Sequence, residues 1–166
     1  MLDVNRISRA HIALMQRSLQ TVGNLVANLD QELATTLRDP NDGDKGWTIL
    51  EILCHLRDFD EFYQQRIQMM LTSDYPHLPA YDHEQLAIER QYNEQDLQQV
   101  YAELVASRTR FVQLLQGLSD EQWRRAGVHP HRGYFSMLDA CMQVGPHDNI
   151  HIEQITRILR GRHYVA

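Results

Sequence analysis

Apolar residues return every three or four positions through most of this chain, which is the spacing of helices that bury one face. The first run carries Val4, Ile7, His11, Leu14, Ser18, Val22, Leu25 and Leu29 and predicts a helix reaching about Leu29. Asp39 to Gly46 (DPNDGDKG) is dense in breakers and predicts a loop. Thr48 with Glu51 three residues on reads as a capping box. It opens a second helix to about Thr72, on which Ile49, Ile52, Leu53, Leu56, Phe59, Tyr63, Ile67 and Met70 face one way. Residues 73–92 hold Pro76 and Pro79 and predict a long connection with one helical turn near Glu84 to Ile88. A third helix is predicted from near Asn93, with Asp96 at the capping-box position, through Leu97, Val100, Leu104 and Phe111 to Gly117. A short helix around Trp123 and a loop over Gly127 to Gly133 follow. The fourth long helix is predicted from near Ser136 to Gly161, kinked or restarted by Gly145-Pro146 because proline lacks the N–H that the helix ladder needs.

Each of the four long helices has an apolar stripe to bury, so the expected fold is all-α, a four-helix bundle. A connection of about 20 residues between helices two and three is long enough to cross that bundle. The whole chain, residues 1–166, is expected to be a single domain.

Composition narrows the function classes. Lys plus Arg number 16 against 22 Asp plus Glu, a net charge of -6 with no basic block, which argues against nucleic-acid binding. No apolar stretch reaches the length of about 18 residues that a membrane span needs. The first ten residues include Asp3, Arg6 and Arg9 and no apolar h-region, so they do not read as a secretory signal. Cys54 and Cys141 are not spaced as a metal knuckle, and a reduced, cytoplasmic setting is expected.

The nine histidines are the unusual feature. His147 and His151 are four apart, which stacks their side chains one turn apart on one helix face. Val144, Ile155 and Ile158 share that side, so the pair should point into the bundle. Two buried imidazoles need partners: a metal ion, carboxylates or waters. His55 lies three after Ile52 and four before Phe59, on or beside the buried stripe of the second helix. If the helices are adjacent, the three rings can share one divalent ion, and three protein ligands leave a position open for water or substrate. Glu51 and Asp58, at i-4 and i+3 from His55, are candidates to orient its ring, as Asp148 and Glu153 are for the other two. His11 reads as boundary packing. His77, His83, His129, His131 and His163 read as loop or surface residues, with His129 or His131 at a pocket mouth. Cys54 is expected to be structural, and Trp47, Trp123 and Tyr134 to anchor helix entrances.

The run from Trp47 to Leu56 resembles the W-[ST]-x-x-E-x-x-x-H-[LI] signature of the DinB-like superfamily, and His147-x-x-x-His151-x-x-Gln154 resembles its closing motif. One departure is Gly145-Pro146 just before His147. The resemblance implies a four-helix bundle of up-down-down-up topology with the long crossover between helices two and three. It implies one divalent metal, zinc or nickel, on His55, His147 and His151, and a homodimer. Members of that superfamily include enzymes that use bacillithiol, mycothiol or glutathione and others described as metal-dependent hydrolases.

The expected function is therefore a metal-dependent enzyme acting on a small-molecule substrate, with water or a low-molecular-weight thiol as nucleophile. Arg57, Arg90, Arg132 or Arg157 would hold a thiol's carboxylates, and Asp82 in the crossover would serve a hydrolase. No general base is identified. The competing expectations are a non-enzymatic, metal-stabilised dimeric bundle with a binding or stress-related role, and a plain bundle whose histidines are satisfied without metal.

Overall fold

A computed structural model describes residues 3–43 and 46–161; His163 lies outside them. Six helices are present among the described residues: α1 (Val4–Val26), α2 (Gln31–Thr36), α3 (Ile49–Thr72), α4 (His83–Glu89), α5 (Leu97–Gln116) and α6 (Met137–Gly161). Side-chain caps start most of them. Asp3, Asp30 and Asp96 each accept a backbone N–H from the first turn of α1, α2 and α5. At α3 the Thr48 hydroxyl accepts from Glu51 N at 3.2 Å, while the Glu51 carboxylate accepts from Thr48 N at 2.7 Å. Ser136 and Asp139 make the same reciprocal pair at the start of α6.

The bundle consists of α1, α3, α5 and α6, with α1 beside α5 and α6, and α3 beside the same two. Pairings along the helices give their directions. Ser8 meets Cys141 and Ser18 meets Asp148, so α1 and α6 run parallel. Arg57 meets Glu103 and Asp60 meets Arg108, so α3 and α5 run parallel. His55 meets His151 and Phe59 meets His147, so α3 runs against α6. This is the up-down-down-up arrangement. It requires the crossover that residues 73–96 supply, containing α4 and a 3-10 turn at Tyr92–Glu94.

Three local expectations need correction. The segment 127–133 is not a simple loop but most of a hairpin, β1 (Ala126–His129) paired antiparallel with β2 (Gly133–Ser136). Strands of four residues are too short to show a period-two pattern against a helical background. The crossover docks on this hairpin, Leu78 N donating to Val128 O and Val128 N to Pro76 O, each at 2.8 Å. Gly127 is needed there, since a Cβ would lie 2.7 Å from Pro76 O. Asp96 is the cap of α5 itself, and the residues before it form the 3-10 turn. Finally, α6 runs without a break through Gly145-Pro146. Pro146 faces solvent, and Met142, whose carbonyl loses its helical partner, is 37% exposed, so water can replace that bond. Gly145 faces α1, where a Cβ would sit 2.6 Å from the Leu14 side chain. The dipeptide thus sets a close helix approach on one side and costs little on the other.

The core is split. One apolar cluster holds Met15, Phe59, Phe111 and Val144; the other holds Val22, Leu56, Leu104 and Ile155. Between them lies a buried polar layer. Arg108 donates to Asp60 at 2.6 Å, to both oxygens of Asp148 at 2.6 and 3.0 Å, and to the Met15 carbonyl at 2.8 Å, and Ser18 also donates to Asp148. The histidines lie at the same level of the bundle.

Candidate metal centre

His55 comes from the second turn of α3, a helix buried on nearly every side, and is itself 4% exposed. His147 and His151 come from the adjacent face of α6. The three rings turn their Nε2 atoms toward one another: 2.9 Å from His55 to His147 and 3.3 Å from His151 to His147. One ligand nitrogen from each ring lies within 4.8 Å of the other two. Nitrogens bound about 2.0–2.1 Å from a tetrahedral zinc stand about 3.3 Å apart, so the spacing suits a single ion.

Hydrogen bonding among the rings alone does not satisfy this arrangement. A neutral imidazole nitrogen carries either a proton or a lone pair. His147 Nε2 has two nitrogen neighbours and can serve only one of them well. Protonating a ring is opposed as well: burial is the main cause holding His55 far below its ordinary pKa and His147 at about 2, with the neighbouring histidines adding to it. Burial lowers His151 too, partly offset by Gln154. Three neutral, convergent lone pairs fit a cation.

The rings are held by few groups. His151 Nδ1 lies 2.9 Å from Gln154 Oε1, which makes Nδ1 the donor and frees Nε2. Phe59 stacks on His147 with centroids 3.7 Å apart and planes 6° from parallel. Trp47 packs edge-on to His55 and parallel to His151. The carboxylates expected to orient His55 are engaged elsewhere. Glu51 completes the α3 cap and meets Arg38, while Asp58 takes Arg57, Arg90 and the Tyr92 hydroxyl. Asp148 belongs to the Arg108 layer and Glu153 approaches Arg157. Among the described residues, His55 Nδ1 and His147 Nδ1 are buried without a partner.

A cleft of about 680 Å³ opens over His55 and His151 of the triad, lined with them by Trp47 on the bundle side and by Tyr81, Asp82, His83 and Glu84 from the crossover. His83, expected at the surface, is half-buried with its ring 4.7 Å from His55. Of the arginines expected at this cleft, Arg57 and Arg90 pair with Asp58 and Arg157 pairs with Asp39. Only Arg132 of that set lines an adjoining cavity, where Arg66 joins it. Sequence reasoning missed the role of Gln154, although its i+3 spacing from His151 was visible. It missed Arg66 and His83 because the crossover that brings them into play left no local pattern.

The model of the DinB superfamily matches residues 14–155. This chain belongs to that superfamily. Among curated relatives, it is 28% identical over 135 residues to "Putative metal-dependent hydrolase OB0413" of Oceanobacillus iheyensis, covering 81% of this chain and 75% of that one. It is 27% identical over 132 residues to "Putative metal-dependent hydrolase YfiT" of Bacillus subtilis, covering 79% and 71%. The solved structure of YfiT, described as a probable metal-dependent hydrolase with an unusual four-helix bundle topology, superposes with a TM-score of 0.83 at 22% identity over 94% of this chain and 87% of that one. A mycothiol-dependent maleylpyruvate isomerase superposes with a TM-score of 0.73 at 10% identity over 96% and 70%. These likenesses establish the bundle topology. Among the described residues no helix is long and apolar enough to cross a membrane.

Proposed function

We propose that this protein is a metal-dependent hydrolase of small molecules, with His55, His147 and His151 as the ligands of one divalent ion, zinc or nickel. The observation that carries the reading is the convergence of three Nε2 atoms, from the buried His55 and the half-buried His147 and His151 of two helices, beside an open cleft. The hydrolase names of both curated relatives support it. A divalent ion held there supplies Lewis acidity to a water, or to a low-molecular-weight thiol, that enters from the cleft. The chain's own residues do the positioning. Gln154 fixes the tautomer of His151, Phe59 fixes the plane of His147, and Trp47 stacks on His151 and forms one wall of the cleft. The carboxylates that line the cleft are Asp82 and Glu84, and one of them accepts the proton of the attacking group. Asp82 already accepts the N–H groups of Glu84 and Gln85 through Oδ1, which leaves Glu84 the freer of the two. Both cysteines are buried, and burial pushes each thiol up to about 12, so neither is the nucleophile.

The test is elemental analysis of the gently purified wild type beside the His147→Ala/His151→Ala double variant, followed by hydrolysis of p-nitrophenyl acetate with and without added glutathione. The expected result is one ion per wild-type chain, none in the variant, and turnover that chelation removes and zinc or nickel restores. Equal metal content in the two proteins overturns the site. A metal-loaded protein that turns over the ester only with the thiol present replaces hydrolysis by thiol transfer. A metal-loaded protein inert in both assays supports the non-enzymatic bundle instead.

A further inference from the structure

A second cavity, of about 280 Å³, adjoins the triad cleft; Tyr81, His83 and His131 line both. Its wall is unbalanced in charge. Arg66 and Arg132 line it and no Asp or Glu does. Arg66 comes from α3, about three turns beyond His55, and is 6% exposed. The other buried arginines among the described residues have carboxylate partners: Arg57 with Asp58 and Glu103, Arg108 with Asp60 and Asp148. Arg66 has no carboxylate within 4 Å among the described residues. Its Nε and Nη2 both donate to one neutral acceptor, the Pro79 carbonyl, at 3.2 and 2.9 Å. The rings of Tyr63 and Tyr81 lie 4.9 and 5.4 Å from its guanidinium carbon, and such contacts replace only part of the lost hydration. A buried, unpaired cation is costly unless an anion completes it.

The remaining wall suits an organic anion. His129 is buried; its Nδ1 accepts from His131 N at 3.3 Å, so the neutral ring carries its proton on Nε2 and is a donor. Burial, Arg66 and Arg132 together keep that ring below its ordinary pKa. Phe62 stacks on Tyr81 with centroids 3.6 Å apart, giving the cavity an aromatic side. One buried guanidinium, one at the exposed rim, a neutral donor and aromatic walls match a monoanionic group on an apolar body better than a free dianion.

We propose that this cavity is a carboxylate subsite, in which Arg66 and Arg132 hold the carboxylate of an organic acid whose reacting group lies at the histidine triad. The substrate class follows as carboxylate-bearing molecules long enough to bridge the two cavities. The reactive part of this inference rests on the metal-centre reading; the binding part does not.

The test uses benzoate as probe on the whole protein in the presence of chelator, so that no metal can hold the anion, with calorimetry as the readout. Wild type is expected to bind one benzoate, with the neutral isostere benzamide at least about tenfold weaker. Arg132→Ala, at an exposed position, and Arg66→Met are each expected to weaken benzoate about tenfold and leave benzamide unchanged. The His147→Ala/His151→Ala variant is expected to bind benzoate as wild type does, which separates this subsite from the metal centre. Arg132→Ala keeps the test decisive if Arg66→Met fails to fold. Absence of saturable benzoate binding, equal affinity for benzamide, or undiminished binding by Arg132→Ala overturns the proposal. Inorganic phosphate competing as well as benzoate overturns the carboxylate assignment. Metal content measured on wild type and on Arg132→Ala purified without chelator is expected to be one ion per chain in both; absence of metal from both, with benzoate binding intact, counts against the metal centre and not against the subsite.

Discussion

Replacing His55 by leucine should make the metal-free protein less sensitive to acid, by an amount that follows from burial alone. In the fold, burial and the neighbouring rings keep His55 neutral far below its ordinary pKa. In the unfolded chain it titrates near 6.5. Between these values the unfolded state binds one more proton, so stability is fully present above about pH 6.5 and falls as pH drops below it. From pH 7 to pH 5 that single ring costs the fold about 2 kcal/mol. Other groups titrate over the same interval. Burial raises the Asp60 carboxyl to about 7 against the pull of Arg108, so it takes up a proton in the fold and works in the opposite direction. The informative quantity is therefore the difference between wild type and His55→Leu, in which the Asp60 contribution cancels. Thermal melts in chelator at pH 7, 6 and 5 should show the variant gaining on wild type by about 4–8 °C across the range. His55→Leu also removes a buried nitrogen without a partner, so it should not unfold the protein at pH 7. A wild-type-minus-variant difference that stays flat from pH 7 to pH 5 would refute the claim that this ring is neutral and desolvated in the fold.

Three further outcomes are expected. Gln154→Leu should weaken metal binding about 10- to 100-fold, read by competition with a chromophoric chelator, while a melt in excess chelator stays near wild type, because Gln154 acts on the His151 tautomer. Arg108→Met should lower stability by about 3–5 kcal/mol in urea titrations, since it leaves the buried Asp60 and Asp148 carboxyls without their guanidinium; an effect under 1 kcal/mol would show the layer to be hydrated. Gly145→Ala should cost about 1–3 kcal/mol in the same titration despite its better helix propensity, because the new methyl meets Leu14; a stabilised variant would show that α1 and α6 can part freely.

What the sequence shows depends on how local each cause is. The α3 cap and the His147–His151 pair each depend on neighbours within four residues, and both are legible. His55 is legible because Ile52 and Phe59 flank it on a strongly apolar helix. The stripe on α1 is legible only in part: Ser18 and Val22 are buried as expected, but the buried line continues through Ser8, Ile12 and Met15 rather than Ile7, His11 and Leu14. The reason is that α1 packs against both α5 and α6, so its buried face is wide and its centre is set by tertiary contacts such as Ser18 with Asp148. Glu51 and Asp58 have the spacing to reach His55, yet spacing does not reveal competitors. The N–H of Thr48 claims one, and Arg57, Arg90 and Tyr92 claim the other. Arg66 is the hardest case. Whether an arginine is buried without a carboxylate depends on where a distant segment, here Pro79 in the crossover, comes to lie.

The polar layer joins the stability of the bundle to the geometry of the site. Asp60 follows His55 by five residues on α3, and Asp148 follows His147 by one on α6. Arg108 from α5 grips both carboxylates, and Ser18 from α1 adds a bond to the second, so all four bundle helices meet at this level. Apolar contacts tolerate small slides of one helix along another, whereas a guanidinium held by two carboxylates at 2.6 Å does not. The helices that carry His55 and His147 are thereby fixed against each other one turn from the point where the ring nitrogens must converge. An apolar core of the same volume could match the stability of this layer, but it would leave the spacing of the ring nitrogens to looser packing. A network that is expensive to bury is therefore best understood as the device that sets the α3–α6 register, and the triad is what depends on that register.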